Sequence, residues 1–210
     1  MVLEDFRNIP FRMQDLSSVF PACGNLSMKA KRLERDGEII RLKKGLYVSS
    51  PRVSRVELSP FLLANHIYGP SYVSMHTALR YYGLIPEAVY VVQSMTTGVA
   101  RDYENRLGLF RYIHVPADYY NIGVSIQEEA GTSFMIATPE KALCDLMVYT
   151  PYLNFRFQTE IRDYLEEDIR FDMDGLGNLK LEILEECAEA SRKKRMLNEL
   201  IKFIRHERNI

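Results

Sequence analysis

The residues most able to do chemistry stand in a basic stretch near the start of this 210-residue chain. Between Lys29 and Arg55 there are nine Lys or Arg against three Asp or Glu, a local net charge of +6. The whole chain carries a net charge of only −1. Because cationic side chains concentrated in this way bind phosphate groups, the stretch predicts contact with nucleic acid.

The spacing of apolar residues in this stretch predicts a helix followed by a β-ribbon. Ala30 and Leu33 recur at helical spacing, and Gly37 supplies the left-handed residue that ends a helix. β-forming side chains then flank the turn at Lys44 and Gly45. A basic helix that precedes a basic ribbon is typical of the second half of a winged helix-turn-helix, which binds double-stranded DNA.

The order of residues along the helix predicts a division between base reading and phosphate binding. The start of a recognition helix usually enters the major groove, so base reading is expected near Ser27 and Met28 and phosphate contact at Arg35 and the ribbon. Either Asn25 or Ser27 caps the helix. The predicted DNA-binding residues are Asn25, Ser27, Met28, Lys29, Lys31, Arg32, Arg35, Arg41, Lys43 and Lys44. For the helix cations alone, a solvated face is the alternative.

A second basic cluster stands close to the end of the chain. It consists of Arg192, Lys193, Lys194 and Arg195, which are predicted to lie with Lys202, Arg205 and Arg208 on the last helix, opposite its apolar stripe. A solvated helix face is the default interpretation of such a run, and contact with DNA or RNA is the sharper alternative.

Charge also divides the chain into two regions. Residues 1–55 hold 11 Lys or Arg and 6 Asp or Glu, a net +5, whereas the remaining residues carry a net −6. Pro51 lies in a segment, 49–54, that is typical of a linker. We therefore predict a winged helix-turn-helix domain at 1–55 and a larger domain at 56–210 that folds on its own.

Periodicity and turn signals predict an α+β fold for the larger domain, with a helical C-terminal tail. Capping residues open helices at Ser59 and Thr138, and a further helix runs over 74–82. Strands are predicted at 89–94, 109–115, 124–128 and 133–137, with a turn at Ala130 and Gly131. The charged segment 101–106 is predicted to be a polar surface segment between strands. After Pro151 the chain is expected to be helical.

Three blocks of this sequence resemble one family of regulators. They are LERDGEIIRLKKGLY at 33–47, YVSMHTALRYYGLIPE at 72–87 and ATPEKALCDLM at 137–147. In this order they resemble AbiEi, the antitoxin and transcriptional regulator of AbiE-type toxin–antitoxin systems. The resemblance implies an N-terminal winged helix that represses its own operon. It also implies a C-terminal domain that counteracts a nucleotidyltransferase-like toxin without a stable complex.

Composition and spacing give little support to other classes of protein. Three distant cysteines favour a reducing cytoplasm, and the acids in MVLEDFRNIP do not suit a signal peptide. The apolar stretches are interrupted too often for a membrane span. No metal or cofactor is expected, because the four histidines lack ligand spacing and no phosphate-binding loop is present.

Two alternatives to a non-enzymatic regulator remain. One is a nuclease or nucleotidyl-modifying enzyme that the winged helix delivers to DNA; it would need clustered carboxylates to hold Mg²⁺, and Glu128 and Glu129 are the nearest candidates. The other is a protein-interaction module that has lost DNA binding, which the short first helix before Pro10 would favour.

Overall fold

The computed structural model describes residues 2–86, 90–129 and 131–208, and within them the chain is mixed α+β, as predicted. The α-helices are α1 (Leu16–Val19), α2 (Leu26–Arg35), α3 (Pro51–Ser54), α4 (Pro60–Ile67), α5 (Met75–Tyr81), α6 (Ala117–Tyr120), α7 (Pro139–Tyr149), α8 (Gln158–Asp163), α9 (Leu181–Ala190) and α10 (Lys194–Glu207). The strands are β1 (Phe11–Arg12), β2 (Ile39–Lys43), β3 (Leu46–Ser49), β4 (Ser71–Val73), β5 (Val91–Thr96), β6 (Arg101–Asn105), β7 (Gly108–His114), β8 (Val124–Glu129) and β9 (Thr132–Ala137). Short 3-10 helices occupy Leu3–Phe6, Met13–Asp15 and Met173–Asn178, and Tyr164–Asp168 is a π-helix.

A small antiparallel sheet, in the order β1-β3-β2, organises the N-terminal region. Its strands and α2 enclose what we call the small core. The buried members of the small core are Leu3, Phe11, Leu16, Ala30, Leu33, Ile39 and Tyr47. The basic helix is therefore held in place by the same sheet that supplies the ribbon.

A second sheet in the described residues has six strands in the order β6-β7-β5-β4-β9-β8. The pairs β5–β7 and β4–β9 are parallel, and the other neighbours are antiparallel. This sheet and the helices α4, α5, α7, α9 and α10 enclose the large core. Among its fully buried side chains are Tyr72, Phe110, Leu143, Leu184 and Leu200.

The ribbon formed by β2 and β3 belongs to both cores. Ile39 and Tyr47 pack into the small core, whereas Leu42, Leu46 and Val48 pack into the large core. Side chains alternate between the two faces of a strand, so one ribbon can serve two cores. Apolar packing thus continues across the boundary predicted between residues 1–55 and 56–210.

The local signals for helix ends lie where the sequence predicts them. Asn25, Ser59 and Thr138 accept hydrogen bonds from the backbone N–H groups of Met28, Leu62 and Lys141, with N···O distances of 3.0, 3.4 and 3.4 Å. The residue that caps α2 is Asn25, so the choice between Asn25 and Ser27 is decided. Gly37 follows α2 with a positive φ of 70°.

Three sequence predictions need correction. The segment 49–54 is not a linker, because Ser49 and Ser50 are buried and Pro51–Ser54 is helical. The segment Arg101–Asn105 is largely exposed, as predicted, but it is strand β6, which pairs with β7 along its whole length. Helix does not begin at Pro151, since residues 151–157 are irregular before α8.

Two of the predictions fall partly outside the described residues. Val89, the expected start of β5, and Ala130, in the expected turn between β8 and β9, both lie there. In the described ranges, every helix is too short or too polar to cross a membrane.

Candidate nucleic-acid interface

The candidate interface begins with the exposed face of α2. Ala30 and Leu33 are almost completely buried in the small core, which orients the opposite side of the helix toward solvent. A shallow groove, which we call the basic groove, lies along that side. It is lined by Cys23, Asn25, Met28, Lys29, Lys31, Arg32 and Arg35. The structure thus brings together the predicted α2 residues, with Ser27 also exposed beside them.

The electrostatics of the basic groove favour an anion. Lys29, Lys31, Arg32 and Arg35 line it and no carboxylate does. A surface that presents four cations raises the local concentration of polyanions. Met28, whose side chain is 64% exposed, adds an apolar contact surface in the same groove.

Neighbouring groups hold these cations only weakly. Arg32 and Arg35 share the carboxylate of Asp36 at 3.5 and 3.1 Å, and the arginine side chains remain 70% and 74% exposed. The guanidinium of Arg35 lowers the pKa of Asp36. Exposed pairs of this kind contribute little to stability and exchange easily for another anion. Lys29 lies over the ring of Phe20, 4.2 Å from its centroid.

The ribbon places its predicted cations differently. Arg41 and Lys44 are exposed, and Lys44 stands beside Gly45, whose φ of 79° forms the tight turn. Lys43 is half-buried, donates a hydrogen bond to the carbonyl of Ile67 at the end of α4, and lies 5.6 Å from the ring centroid of Tyr103. Arg41 and Lys44 therefore face solvent, whereas Lys43 is fixed against the large domain.

Tyr47 is part of the fold rather than of the exposed surface. Its side chain is buried, and its ring stacks on that of Phe11 with centroids 6.3 Å apart. Tyr47 therefore packs on the small core and does not present its side chain for contact with a phosphate.

Residues distant in sequence also meet the ribbon. The amide of Asn105 donates to the carbonyl of Leu42 over 3.1 Å, which holds the β6–β7 turn against β2. Arg106 lines the resulting cleft with Arg41 and Lys44. Sequence reasoning missed Arg106, because no local signal connects it with a ribbon some 60 positions earlier.

The second basic cluster does not form one surface. Lys193 donates to the carbonyls of Met147, Thr150 and Leu153, with N···O distances of 3.1, 3.2 and 2.7 Å. Burial lowers the pKa of Lys193. Its ammonium group thus caps the end of α7, where carbonyls favour a cation.

The other three residues of the second basic cluster differ in the contacts that they make. Lys194 pairs with Glu189 at 2.6 Å, and the guanidinium of Arg192 lies 5.2 Å from the ring centroid of Tyr149. Arg195 is exposed in a shallow groove that Glu199 also lines. This arrangement fits the solvated-face interpretation better than a nucleic-acid surface.

A buried polar network links the second and third sequence blocks. The ammonium of Lys141 lies 3.5 Å from Asp145 Oδ1, and both side chains are 0% exposed. Asp145 Oδ2 accepts hydrogen bonds from Ser74 at 2.6 Å and from Tyr72 at 3.1 Å. Lys141 also donates to the Tyr119 carbonyl over 2.8 Å. These block residues connect β4, α6 and α7 inside the large core.

The burial of this network governs its acid–base behaviour. Burial raises the pKa of Asp145, while Lys141 and the hydroxyl of Ser74 act in the opposite direction. The side chains of both Lys141 and Asp145 are completely shielded from solvent. We infer that this network has a structural role, which is to join β4, α6 and α7 inside the large core.

The carboxylates considered for an enzyme lie at the end of an edge strand. Glu128 and Glu129 are consecutive and exposed in β8, so their side chains leave opposite faces of the sheet. Among the described residues, no group of three or more His, Cys, Asp or Glu is placed to hold a metal ion.

Comparison with known proteins adds no assignment. No protein-family model matches the chain, and no curated protein matches it either.

Proposed function

We propose that this chain is a DNA-binding transcriptional regulator in which α2 is the recognition helix. The observation that carries the proposal is the basic groove, where four cations and Met28 lie on one exposed face. The nearest carboxylate that pairs with these cations, Asp36, lies beside the groove and contacts Arg32 and Arg35 in exposed ion pairs. An α-helix with such a face suits the major groove of DNA, where phosphates border the base edges.

The topology around α2 supports a winged helix-turn-helix. A short helix, a turn and α2 are followed by an antiparallel ribbon, and β1 pairs with the second strand of that ribbon. The first helix is reduced to the 3-10 turn Leu3–Phe6. Leu3 is nevertheless buried in the small core, and its carbonyl accepts a hydrogen bond from Ser49 over 2.7 Å. The shortened helix therefore still packs on the small core and bonds to β3.

The positions of the side chains support separate roles in binding. Ser27, Met28 and Lys29 lie in the first turn of α2, where they would reach base edges. Arg35, Arg41 and Lys44 lie farther along α2 and on the ribbon, where they would contact phosphates. Lys43 would act indirectly, by fixing the ribbon against α4.

The antitoxin role is also part of this proposal, and the resemblance to AbiEi supports it. In this view the N-terminal region represses the chain's own operon in the cytoplasm. The remainder counteracts a nucleotidyltransferase-like toxin without catalysing a reaction itself and without a stable complex. Co-expression of a cognate toxin with this protein would test the role: restored growth supports it, and unchanged killing contradicts it.

The DNA-binding proposal is tested by fluorescence anisotropy with a duplex from the chain's own upstream promoter. Counterion release predicts that affinity falls steeply with salt, by about 10³-fold or more between about 50 and 200 mM if six or more phosphates are contacted. The double variant Lys31→Glu, Arg32→Glu should abolish binding, since both side chains are exposed in the basic groove.

A matched control changes the net charge equally at a distance from α2. The variant Arg156→Glu, Lys180→Glu alters two exposed cations outside the basic groove and should bind as the wild type does. Equal loss in both variants would attribute binding to net charge alone and would contradict the assignment of α2.

A further inference from the structure

A second polar groove, which we call the junction groove, lies where the ribbon turn meets β1 and α4. The residues that define it are Arg12, Gln14, Asp15, Lys43, Lys44 and His66. They come from three separate stretches of the chain, two in the N-terminal region and one at the end of α4. Its volume of about 570 Å³ is within the range of small-ligand sites.

The charges around the junction groove are unbalanced. Arg12, Lys43 and Lys44 contribute three cations, and Asp15 is the single lining carboxylate in the described chain. Asp15 Oδ2 already accepts a hydrogen bond from the backbone N–H of Arg12 at 2.6 Å. Among the described residues, the ion pairs within 4.0 Å involve cations other than Arg12, Lys43 and Lys44.

The partial burial of Lys43 increases the need for an anion in the junction groove. Its ammonium group is half-buried and bound to the neutral carbonyl of Ile67. Removing a charge from water is unfavourable unless an opposite charge compensates for it. The Ile67 carbonyl satisfies one donor of the ammonium and the Tyr103 ring lies 5.6 Å away, but neither group carries a formal negative charge. An anion in the groove would therefore be stabilised by Lys43 as well as by the exposed cations.

We propose that the junction groove binds the phosphate group of a small phosphomonoester, such as a nucleoside monophosphate. A phosphate dianion matches several converging cations, and its oxygens accept both from a guanidinium and from ammonium groups. The groove is larger than a bare phosphate, which leaves room for the attached nucleoside. The assignment does not rest on operator binding, because such a ligand would occupy the groove without DNA.

Isothermal titration calorimetry of the full chain with AMP tests the assignment, with adenosine as the ligand control. We expect saturable binding of AMP, weaker binding of inorganic phosphate and none of adenosine. Arg12→Gln and Lys44→Gln should each weaken AMP binding about tenfold, since each removes a charge-assisted contact. Arg156→Gln, an exposed arginine outside the groove, should leave AMP binding unchanged. Circular dichroism confirms that each variant is folded.

Two outcomes would overturn the assignment. One is the absence of saturable AMP binding, and the other is AMP binding that neither Arg12→Gln nor Lys44→Gln weakens. A duplex titration separates this result from failure of DNA recognition. If AMP does not bind but Arg12→Gln weakens duplex binding, the groove holds a DNA phosphate and the small-ligand assignment is wrong. If AMP binds but the variant Lys31→Glu, Arg32→Glu still binds the duplex, the proposal that α2 recognises DNA is wrong and the phosphomonoester assignment stands.

Discussion

At the scale of single residues, Lys43 and Lys44 show how adjacent lysines acquire different roles. The pairing of β2 with β3 shifts register between Arg41 and Lys43, which is a β-bulge. A bulge re-aims the side chains beside it. Lys43 is consequently directed to the end of α4, while Lys44 stands in the ribbon turn. The sequence predicts a basic ribbon here but carries no local signal for the bulge.

The two lysines should respond differently to the same substitution. Lys44→Gln should reduce the slope of log affinity against log salt by about 1, because one phosphate contact is lost. Lys43→Gln should keep that slope but lower the free energy of unfolding by about 1 kcal/mol, since the bond to the Ile67 carbonyl is lost. Salt titrations and urea unfolding measure the two effects. Identical changes in both variants would show that the side chains are equivalent.

The buried pair of Lys141 and Asp145 should behave as a coupled unit. Asp145→Leu should lower the free energy of unfolding by about 3–5 kcal/mol, because it leaves the Lys141 ammonium buried without a counter-charge. The double variant Lys141→Met, Asp145→Leu should lose less than Asp145→Leu alone. Urea unfolding of the single and double variants provides the cycle. A double variant whose loss equals the sum of the two single losses would show that the charges do not interact.

At the scale of elements, α2 depends on one capping side chain. Asn25→Ala should lower the free energy of unfolding by about 1 kcal/mol, because the N–H of Met28 loses its acceptor. Ser27→Ala is the matched control and should have little effect, since Ser27 is exposed and does not cap the helix. Thermal unfolding of both variants measures the difference. A larger loss for Ser27→Ala would contradict the assigned cap.

The elements that the sequence predicts best are those with local end signals. The helices that begin after Asn25, Ser59 and Thr138 all start where a capping side chain stands. Strands β1, β4 and β6 are not predicted, for two reasons. β1 and β4 have two and three residues and pair with strands that are distant in sequence. β6 pairs with the next strand, β7, but its charged residues hide the β pattern.

One part of the candidate site could be predicted from local sequence signals, and another part could not. The α2 face could be predicted, because the burial of Ala30 and Leu33 determines which side of the helix faces solvent. The junction groove could not, because Arg12 and His66 meet only after the ribbon has packed against α4. Tertiary contacts of this kind have no periodic signal in the sequence.

At the scale of the whole molecule, the ribbon couples the N-terminal region to the rest of the chain. Charge segregation and Pro51 predict independent domains, but Leu42, Leu46 and Val48 pack into the large core. Each side chain buried there removes apolar surface from water, which is worth roughly 1.5–3 kcal/mol for a Leu or Val. The two regions are therefore expected to unfold together.

Deletion of residues 1–55 tests this coupling. The chain 56–210 should unfold at a lower temperature than the full protein and bind a hydrophobic dye, because the surface covered by Leu42, Leu46 and Val48 becomes exposed. The full chain should show one cooperative transition in calorimetry. A shortened chain with an unchanged unfolding temperature would support the independent domains that the sequence predicts.

The central claim is that the exposed face of α2 reads DNA, and the ratio of two dissociation constants tests it most directly. The ratio compares the chain's own promoter duplex with a shuffled duplex of the same composition. We predict that the wild type prefers the promoter by about 10³-fold or more, that Met28→Ala changes this ratio, and that Arg35→Ala weakens both duplexes equally. Equal affinity of the wild type for the two duplexes, or an identical loss on both duplexes for Met28→Ala and Arg35→Ala, would contradict a reading role for α2.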